Sequence, residues 1–218
     1  MKQYKVVIFD LDGTLADTSE GIFNSIRFAQ KTMNLKEITP EQMRSHVGPP
    51  MAVSYNKNFG LEGEELERAI ALHKQYALEK GAFEVSFYDG IDELLSGLRK
   101  NDCMICVATL KIEQTAKKIM EHFGKSSFFD LIRGVTAGGN ETKASILRNC
   151  VEFANADISQ CVLIGDSVYD AQGAQEVGMD FIGVTYGFGF KNKEEVFQSG
   201  AVAAADSCTE LSQILLKK

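Results

Sequence analysis

Two aspartates, Asp10 and Asp12, stand two residues apart at the end of an apolar run and are followed at once by Gly13 and Thr14. In an extended chain, residues i and i+2 lie on the same face, so both carboxylates can approach one reaction centre. Two like charges at close range are unfavourable unless a cation or a proton lies between them. A lone Asp-x-Asp sequence is also common in turns, so the pair alone leaves a plain loop role open.

Polar residues at the ends of later apolar runs extend this pattern. Thr109 follows one run, Asp166 and Asp170 follow another, and Lys143 opens the helical pattern before the latter. If these runs are parallel strands, their carboxyl ends meet at one edge of a sheet, which is where ligands bind in such folds. Acids, a hydroxyl and an amine gathered there would suit one metal ion and one phosphoryl group.

The elements that must position these residues alternate between strand and helix patterns. Apolar runs rich in Val and Ile recur between segments of helical spacing, and their nearly continuous apolarity is typical of strands covered on both faces. The alternation predicts an α/β fold with a doubly wound (Rossmann-like) parallel sheet core. The predicted strands are 6–9, 104–108, 131–135, 161–164 and 181–184, with a weaker sixth at 201–205.

One region, between the first two predicted strands, breaks the alternation and contains no convincing strand. Asp17 and Glu20 have the spacing of a capping box at the start of its first helix. Helical segments are predicted at 19–33, 40–46 and 62–79.

This region is too long for a normal connection between a strand and a helix. We therefore expect an inserted all-helical cap domain at 17–84. The remaining segments, 1–16 and 85–218, are expected to form one α/β catalytic core domain.

In order and spacing, the motifs resemble those of the haloacid dehalogenase superfamily of aspartate-nucleophile hydrolases, and specifically its phosphatase branch related to phosphoglycolate phosphatases. The family's first motif, DxDGT, matches 10–14, and its fourth, GDxxxD, matches 165–170. Thr109 matches the strand-end Thr or Ser of the second motif, and Lys143 matches the lysine of the third. The similarity covers essentially the whole chain, and that branch also has a helical cap after its first motif.

The resemblance implies a catalytic role for four residues. Asp10 would be the nucleophile, because an ionised carboxylate can form an acyl phosphate that water hydrolyses. Asp12 would act as general acid towards the leaving oxygen and then as general base towards water. Thr109 and Lys143 would bind the phosphoryl oxygens during transfer. The implied activity is hydrolysis of the phosphomonoester of a small soluble metabolite.

The resemblance also implies a magnesium ion. It would be held by the side chain of Asp10, the main-chain carbonyl of Asp12 and the side chain of Asp166, which are the hard oxygen ligands that this ion prefers. Asp170 would reach the metal through water or orient Lys143.

Substrate contacts are expected at Gly13, Thr14 and Leu110, in addition to Thr109 and Lys143. The family often has Asn where Leu110 stands, so a side-chain amide contact is lost there.

Lys111 keeps the basic residue that often follows the second motif in the family. A solvated lysine at the start of a helix is the alternative interpretation of this residue.

Segment 47–51, Val-Gly-Pro-Pro-Met, interrupts two helical patterns of the predicted cap. It is similar to a cap loop that faces the active site in related phosphatases, which would bring Gly48 and Pro49 to the substrate. A plain turn between helices is the alternative.

Arg27, Arg44 and His46 of the predicted cap could meet a second anionic group of the substrate. The shared core recognises only the phosphoryl group, so the metabolite itself stays open among sugar phosphates, nucleotides, phosphoglycolate and pyrophosphate.

Asp12 favours phosphoryl chemistry, because haloalkanoic acid dehalogenases of the superfamily typically lack this second acid. Phosphoryl transfer of the β-phosphoglucomutase type is an alternative, although that branch commonly has a His shortly after the first motif, where this chain has Glu20-Gly21-Ile22. Pyrophosphatase activity is another. A phospho-accepting receiver-type switch is the non-enzyme alternative, against which stand the DxDGT spacing and the helical insertion.

The charge balance narrows the expected partners. The chain has 30 acidic and 23 basic residues and a formal net charge of -7, which disfavours nucleic acid and anionic membranes. Its first residues lack the apolar core of a signal peptide, and no stretch approaches the length of a membrane span. We expect a cytoplasmic monomer or homodimer that acts on a small phosphorylated metabolite.

The five cysteines are odd in number and mostly lie in apolar contexts, which predicts reduced thiols in the core. Cys103 and Cys106 form a CxxC sequence, but residues three apart in a strand point to opposite faces. A structural role is therefore predicted for both.

Overall fold

Strands and helices alternate along most of the chain, and the computed structural model describes residues 2–136 and 139–216. The strands are β1 Val6–Phe9, β2 Ala16–Asp17, β3 Ser86–Phe87, β4 Met104–Ile112, β5 Leu131–Val135, β6 Cys161–Gly165, β7 Asp180–Val184 and β8 Ala203–Ala205. The helices are α1 Ser19–Met33, α2 Pro40–Arg44, α3 Met51–Phe59, α4 Gly63–Glu79, α5 Ile91–Lys100, α6 Glu113–His122, α7 Lys143–Ala154, α8 Val168–Val177, α9 Lys193–Gln198 and α10 Cys208–Leu216.

Six parallel strands form one sheet in the order β5-β4-β1-β6-β7-β8. The central strand β1 pairs with β4 on one side and β6 on the other, and Phe9 lies opposite both Val107 and Ile164. The predicted doubly wound α/β core is confirmed, including its weaker sixth strand, which is β8. The register brings the residues that follow β1 and β6 beside the carboxyl-terminal part of β4 at one edge.

Strand β1 shows why the predicted strands lack polar alternation. Val7 and Phe9 belong to the apolar cluster on one face of the sheet, whereas Val6 and Ile8 belong to the cluster on the other face. Helices α5, α6 and α10 cover the first face, and α7, α8 and α9 cover the second. Each residue of the strand is therefore buried, whichever way its side chain points.

Strand β4 extends beyond its predicted end at Ala108 and runs to Ile112. Its pairing with β5 continues with an irregular register between Ala108 and Ile112. Lys111 consequently lies within a strand, so the alternative interpretation, a solvated lysine at a helix start, is wrong.

The helical insertion has an apolar cluster of its own, which includes Ile26, Tyr55 and Ala69. The predicted segments correspond to α1, α2 and α4, although α2 ends two residues earlier than predicted, at Arg44. Helix α3 follows the Gly-Pro-Pro break. The chain enters and leaves the insertion through β2 and β3, which pair antiparallel. The domain division at 17 and 84 stays a prediction.

The start of α1 differs from its predicted capping box. The residue before the helix is Thr18, and its hydroxyl donates a hydrogen bond to Asp12 rather than capping the helix. Asp17 accepts a hydrogen bond from the backbone N–H of Ser19 at 2.9 Å. The first turn therefore links the insertion to the Asp-x-Asp motif.

The five cysteines are free and buried. Cys103 packs in the apolar cluster on one face of the sheet and Cys106 in the cluster on the other, as predicted for residues three apart in a strand. Within the described residues, no helix has both the length and the apolar character needed to cross a bilayer.

Two histidines lie in the interior of the insertion. Burial lowers the pKa of His46 to about 4, and burial, with a further contribution from the nearby Lys111, lowers the pKa of His73 to about 3. Because both values lie below the ordinary value, protonation favours the unfolded chain. The stability that these neutral rings provide is present above pH 6.5 and is lost as the pH falls through about 4.

We predict that His46→Phe makes the protein less sensitive to acid. On lowering the pH from 7 to 4.5, the variant should lose about 2 kcal/mol less unfolding free energy than the wild type, because it has one proton fewer to bind on unfolding. Urea denaturation at both pH values measures this difference. His122→Phe, at an exposed position, is the control and should match the wild type; equal acid sensitivity in His46→Phe would contradict the prediction.

Candidate active site

The carboxyl edge of the sheet carries the predicted chemistry. Asp10 follows β1, Asp166 follows β6, Thr109 lies in the extension of β4, and Lys143 is the first residue of α7. All four side chains are buried. Asp10, Thr109 and Lys143 line a cavity between this edge and helices of the insertion. The structure therefore brings residues from distant parts of the chain into one site.

The ammonium group of Lys143 lies at the centre of the site. Its Nζ is 2.7 Å from Oδ1 of Asp10 and 2.7 Å from Oδ1 of Asp170, and it donates to the carbonyl oxygen of Ala108 at 2.8 Å. By distance and angle, the contacts with Asp10 and Ala108 are hydrogen bonds, whereas the contact with Asp170 is an ion pair. Burial lowers the pKa of Lys143, but the attraction of Asp10 and Asp170 outweighs it and raises the pKa above its ordinary value. Lys143 is therefore a permanent positive charge.

Helix α8 leaves space for this lysine at Gly173. A Cβ atom on Gly173 would overlap the aliphatic stem of Lys143. The glycine lets α7 and α8 approach closely enough for the ammonium to reach the sheet edge.

Asp166 is held by the loop after β7. Its Oδ2 accepts hydrogen bonds from the backbone N–H groups of Phe188 at 2.7 Å and Gly189 at 3.1 Å. On its other side, Gly13 has a φ of 77°, and a side chain there would overlap the carboxylate. The glycine-rich segment 187–189 thus positions an acid.

Three carboxylates form the candidate metal centre. Oxygens of Asp10, Asp166 and Asp170 all lie within 4.8 Å of one another. Burial, together with the negative charges of neighbouring carboxylates, raises the pKa of Asp10 to about 8, although the positive charge of Lys143 lowers it. Burial and the charge of Asp170 likewise raise the pKa of Asp166 to about 7. One ammonium cannot balance three buried carboxylates, so the charge and hard oxygen atoms of this set fit a divalent cation.

The side chain of Asp12, also predicted to take part in metal binding, lies outside this cluster. Its Oδ1 accepts hydrogen bonds from Nζ of Lys111 at 2.9 Å and from the hydroxyl of Thr18. The Lys111 side chain is only 14% exposed. Metal binding through the main-chain carbonyl of Asp12 stays a prediction.

The predicted substrate contacts divide into two groups. Leu110 and Gly48 line the cavity, together with Thr109. Within the described chain, Gly13, Thr14 and Pro49 are not among the lining residues.

Gly13 and Thr14 have other surroundings in the structure. Gly13 packs beside Asp166, and Thr14 is fully buried, with its carbonyl oxygen accepting a hydrogen bond from the hydroxyl of Tyr186 at 3.1 Å. Arg27 and Arg44 line a separate groove on the insertion, away from the catalytic edge.

Some residues of the cavity wall were not predicted from the sequence. Ser167 and Tyr169 line the cavity and lie inside the GDxxxD motif. Their position in the sequence, close to Asp166, could have predicted that they reach the site. His73 and Lys74 reach the cavity from α4. No local pattern marks them, because their position depends on how the insertion packs over the sheet.

Comparisons of the sequence with a family model and with known proteins point to the same family. The family model described as haloacid dehalogenase-like hydrolase matches residues 7–184. A 5'-nucleotidase of Pseudomonas aeruginosa is 31% identical over 197 residues, which cover 90% of this chain and 89% of that protein. A phosphoglycolate phosphatase of Chromobacterium violaceum is 27% identical over 222 residues, which cover 99% of this chain and 98% of the other.

The structural comparison agrees. The crystal structure of a predicted phosphatase from Clostridium acetobutylicum superposes with a TM-score of 0.90 at 36% sequence identity and covers 98% of each chain. The chain therefore belongs to the haloacid dehalogenase-like hydrolases, and proteins described as phosphatases are among those to which it is similar.

Proposed function

We propose that this hydrolase is a magnesium-dependent phosphatase that cleaves the phosphomonoester of a small metabolite through an aspartyl-phosphate on Asp10. The observation that carries the proposal is the Asp10 carboxylate at the wall of the cavity, held at 2.7 Å by the ammonium of Lys143. A nucleophile fixed in one orientation loses little entropy when it attacks. The Lys143 charge opposes the rise in the pKa of Asp10 that burial causes, and a bound divalent cation would oppose it further and so favour the ionised, reactive form.

The first step forms a bond from Asp10 to phosphorus and breaks the bond to the leaving oxygen. That oxygen needs a proton, and we assign this role to Asp12, which lines the same cavity. Lys111 and Thr18 both contact Oδ1 of Asp12, so Oδ2 is the oxygen left to exchange a proton. In the second step, water forms a bond to phosphorus while the bond from phosphorus to Asp10 breaks, and the Asp12 carboxylate takes a proton from that water, so that both aspartates return to their starting forms.

Thr109 and Lys143 are proposed to bind the phosphoryl oxygens. Oγ1 of Thr109 accepts a hydrogen bond from the N–H of Lys111 at 3.1 Å, and its own proton can be donated to the substrate. Lys143 is hydrogen-bonded to Asp10 and Ala108 and ion-paired with Asp170. When Asp10 becomes phosphorylated, its contact with Lys143 weakens, and the freed N–H can then turn to the phosphoryl group.

The proposed magnesium site is formed by Asp10 and Asp166, with Asp170 behind them as the partner of Lys143. A bound divalent cation would neutralise charge on the phosphoryl oxygens. Asp166 is restrained by two backbone N–H groups, so it is oriented before any ion arrives.

We further propose that residues 17–84 act as a mobile cap domain. The cavity between the insertion and the sheet edge has a volume of about 70 Å³. A cavity that admits benzene is about 150 Å³, so movement of the helices away from the edge would give a phosphomonoester more room. The two-residue strands β2 and β3 are the connections at which this movement would take place.

We predict that Asp10→Asn lowers kcat for phenyl phosphate by on the order of 10⁴-fold or more, because the amide is a poor nucleophile. Asp12→Asn should lower it by about 10² to 10⁴-fold, because the leaving oxygen loses its proton donor. Release of inorganic phosphate measures turnover and also separates hydrolysis from transfer to a second acceptor. Asp102→Asn, at an exposed position, is the control. Unimpaired turnover in Asp10→Asn would overturn the proposal.

We also predict that Mg²⁺ stabilises the fold. At a concentration 100 times its Kd, the ion should add about 2.7 kcal/mol, which corresponds to a rise in Tm of about 5 to 10 °C for a chain of this size. Asp166→Asn should remove most of this rise. Differential scanning fluorimetry with and without Mg²⁺ gives the result independently of activity, and an equal rise in Asp166→Asn and the wild type would place the ion elsewhere.

A further inference from the structure

His46 stands at the cavity with an unsatisfied polar atom. It lies in the turn after α2, lines the cavity and is 6% exposed. Its Nε2 is buried and has no hydrogen-bond partner within the described part of the chain. A buried polar atom without a partner is uncommon in folded proteins and calls for an explanation.

The ring of His46 belongs to an aromatic group that fixes its position. It packs edge-on against Tyr55, with centroids 5.2 Å apart, and lies 5.9 Å from the ring of Phe59. The hydroxyl of Tyr55 in turn lies 3.1 Å from Nδ1 of His73, which also lines the cavity. Both imidazoles are therefore held in place before a ligand arrives.

These imidazoles provide polarity without charge. Burial lowers the pKa of both rings well below neutrality. A neutral imidazole has one N–H donor and one acceptor nitrogen, and a hydroxyl group likewise both donates and accepts. A carboxylate or a second phosphate only accepts, and it needs a cation to be buried favourably.

The cations of the cavity are largely committed to the catalytic acids. Lys143 is held by Asp10 and Asp170, and Lys111 is held by Asp12. The third lysine on the wall, Lys74, is partly exposed, so water screens its charge. Among the described residues, the lining contains no arginine.

Five further residues of the wall have apolar side chains. These side chains suit the carbon-bound face of a sugar ring or the flat face of a base. They are Ile22, Met51, Ala77, Leu110 and Ile112.

We propose that His46, supported by Tyr55 and His73, is a specificity-determining residue that hydrogen-bonds a hydroxyl of the leaving group, and that this group is an uncharged, hydroxyl-rich sugar or nucleoside. The inference rests on the proposed phosphatase function and deepens it. It disfavours phosphoglycolate and pyrophosphate as substrates, because each would place a second anion against the neutral wall.

The test compares kcat/KM across five substrates. Ribose 5-phosphate and uridine 5'-monophosphate have hydroxyl-rich leaving groups, and they distinguish a sugar from a nucleoside. Phosphoglycolate and pyrophosphate have anionic leaving groups, and phenyl phosphate has neither feature. The wild type should favour at least one hydroxyl-rich substrate over both anionic ones by about tenfold or more, as expected for one well-placed hydrogen bond.

His46→Phe keeps an aromatic ring against Tyr55 and Phe59 but removes the ring nitrogens. It should lower kcat/KM for the preferred hydroxyl-rich substrate about tenfold more than for phenyl phosphate. The control, His122→Phe, makes the same exchange at an exposed position and should leave the substrate profile unchanged. Tyr55→Phe removes only the hydroxyl beside His73. It should lower the ratio of kcat/KM for the hydroxyl-rich substrate to kcat/KM for phenyl phosphate by a smaller factor, and it replaces His46→Phe as the test if that variant does not fold.

Two results would overturn the inference. One is an equal effect of His46→Phe and Tyr55→Phe on all substrates, which is what a purely structural role of the aromatic group predicts. The other is a wild-type preference for phosphoglycolate or pyrophosphate that Lys74→Met removes, which would make the lysine the specificity determinant. Failure of the proposed function is a different result, namely that the wild type with Mg²⁺ turns over none of the five substrates, including phenyl phosphate.

Discussion

Three carboxylates, those of Asp10, Asp166 and Asp170, are buried around a single ammonium group, and much of the structure serves to keep them there. Such an arrangement is unfavourable in isolation, since one Lys143 leaves an excess of negative charge in the interior. The fold can maintain it because each acid is anchored separately. Asp10 and Asp166 follow neighbouring strands, and Asp170 accepts hydrogen bonds from the backbone and hydroxyl of Ser167. A bound divalent cation would relieve this excess, and together with Lys143 it would then let the site accept the anionic phosphoryl group.

The site divides its tasks between the two parts of the molecule. The sheet edge provides most of the charge, through the acids and Lys143, whereas the insertion provides the neutral rings of His46 and His73 and one partly exposed lysine, Lys74. Thr18, at the start of α1, contacts Asp12 of the sheet edge and so connects the two parts. A movement of the insertion would therefore change the surroundings of the proposed proton donor at the same time as it opens the cavity.

Much of the core could be predicted from the sequence because its signals are local. Continuous apolar runs indicated buried parallel strands, and polar residues directly after them had to meet at one edge once the strands were adjacent. The end of β4 was not predictable in this way, since its extension to Ile112 depends on pairing with β5. For that reason, the sequence could not decide between the two interpretations of Lys111. His73 carries no local signal, because it reaches the cavity only through the packing of α4 over the sheet.

The start of α1 shows a second kind of limit. Asp17 and Glu20 have the correct spacing for a capping box, yet the residue before the helix is Thr18, and its hydroxyl bonds to Asp12. The local pattern for a capping box did not decide how the helix begins, because the hydrogen bond from Thr18 to Asp12 forms only in the folded site.

The most direct test of the carboxylate cluster is the anomalous scattering of a crystal grown with Mn²⁺, which prefers the same oxygen ligands as Mg²⁺. A single strong anomalous peak within coordination distance of the carboxylates of Asp10 and Asp166 is the predicted result. The absence of a peak there, in a crystal that shows one elsewhere on the molecule, would contradict a cation site at the sheet edge.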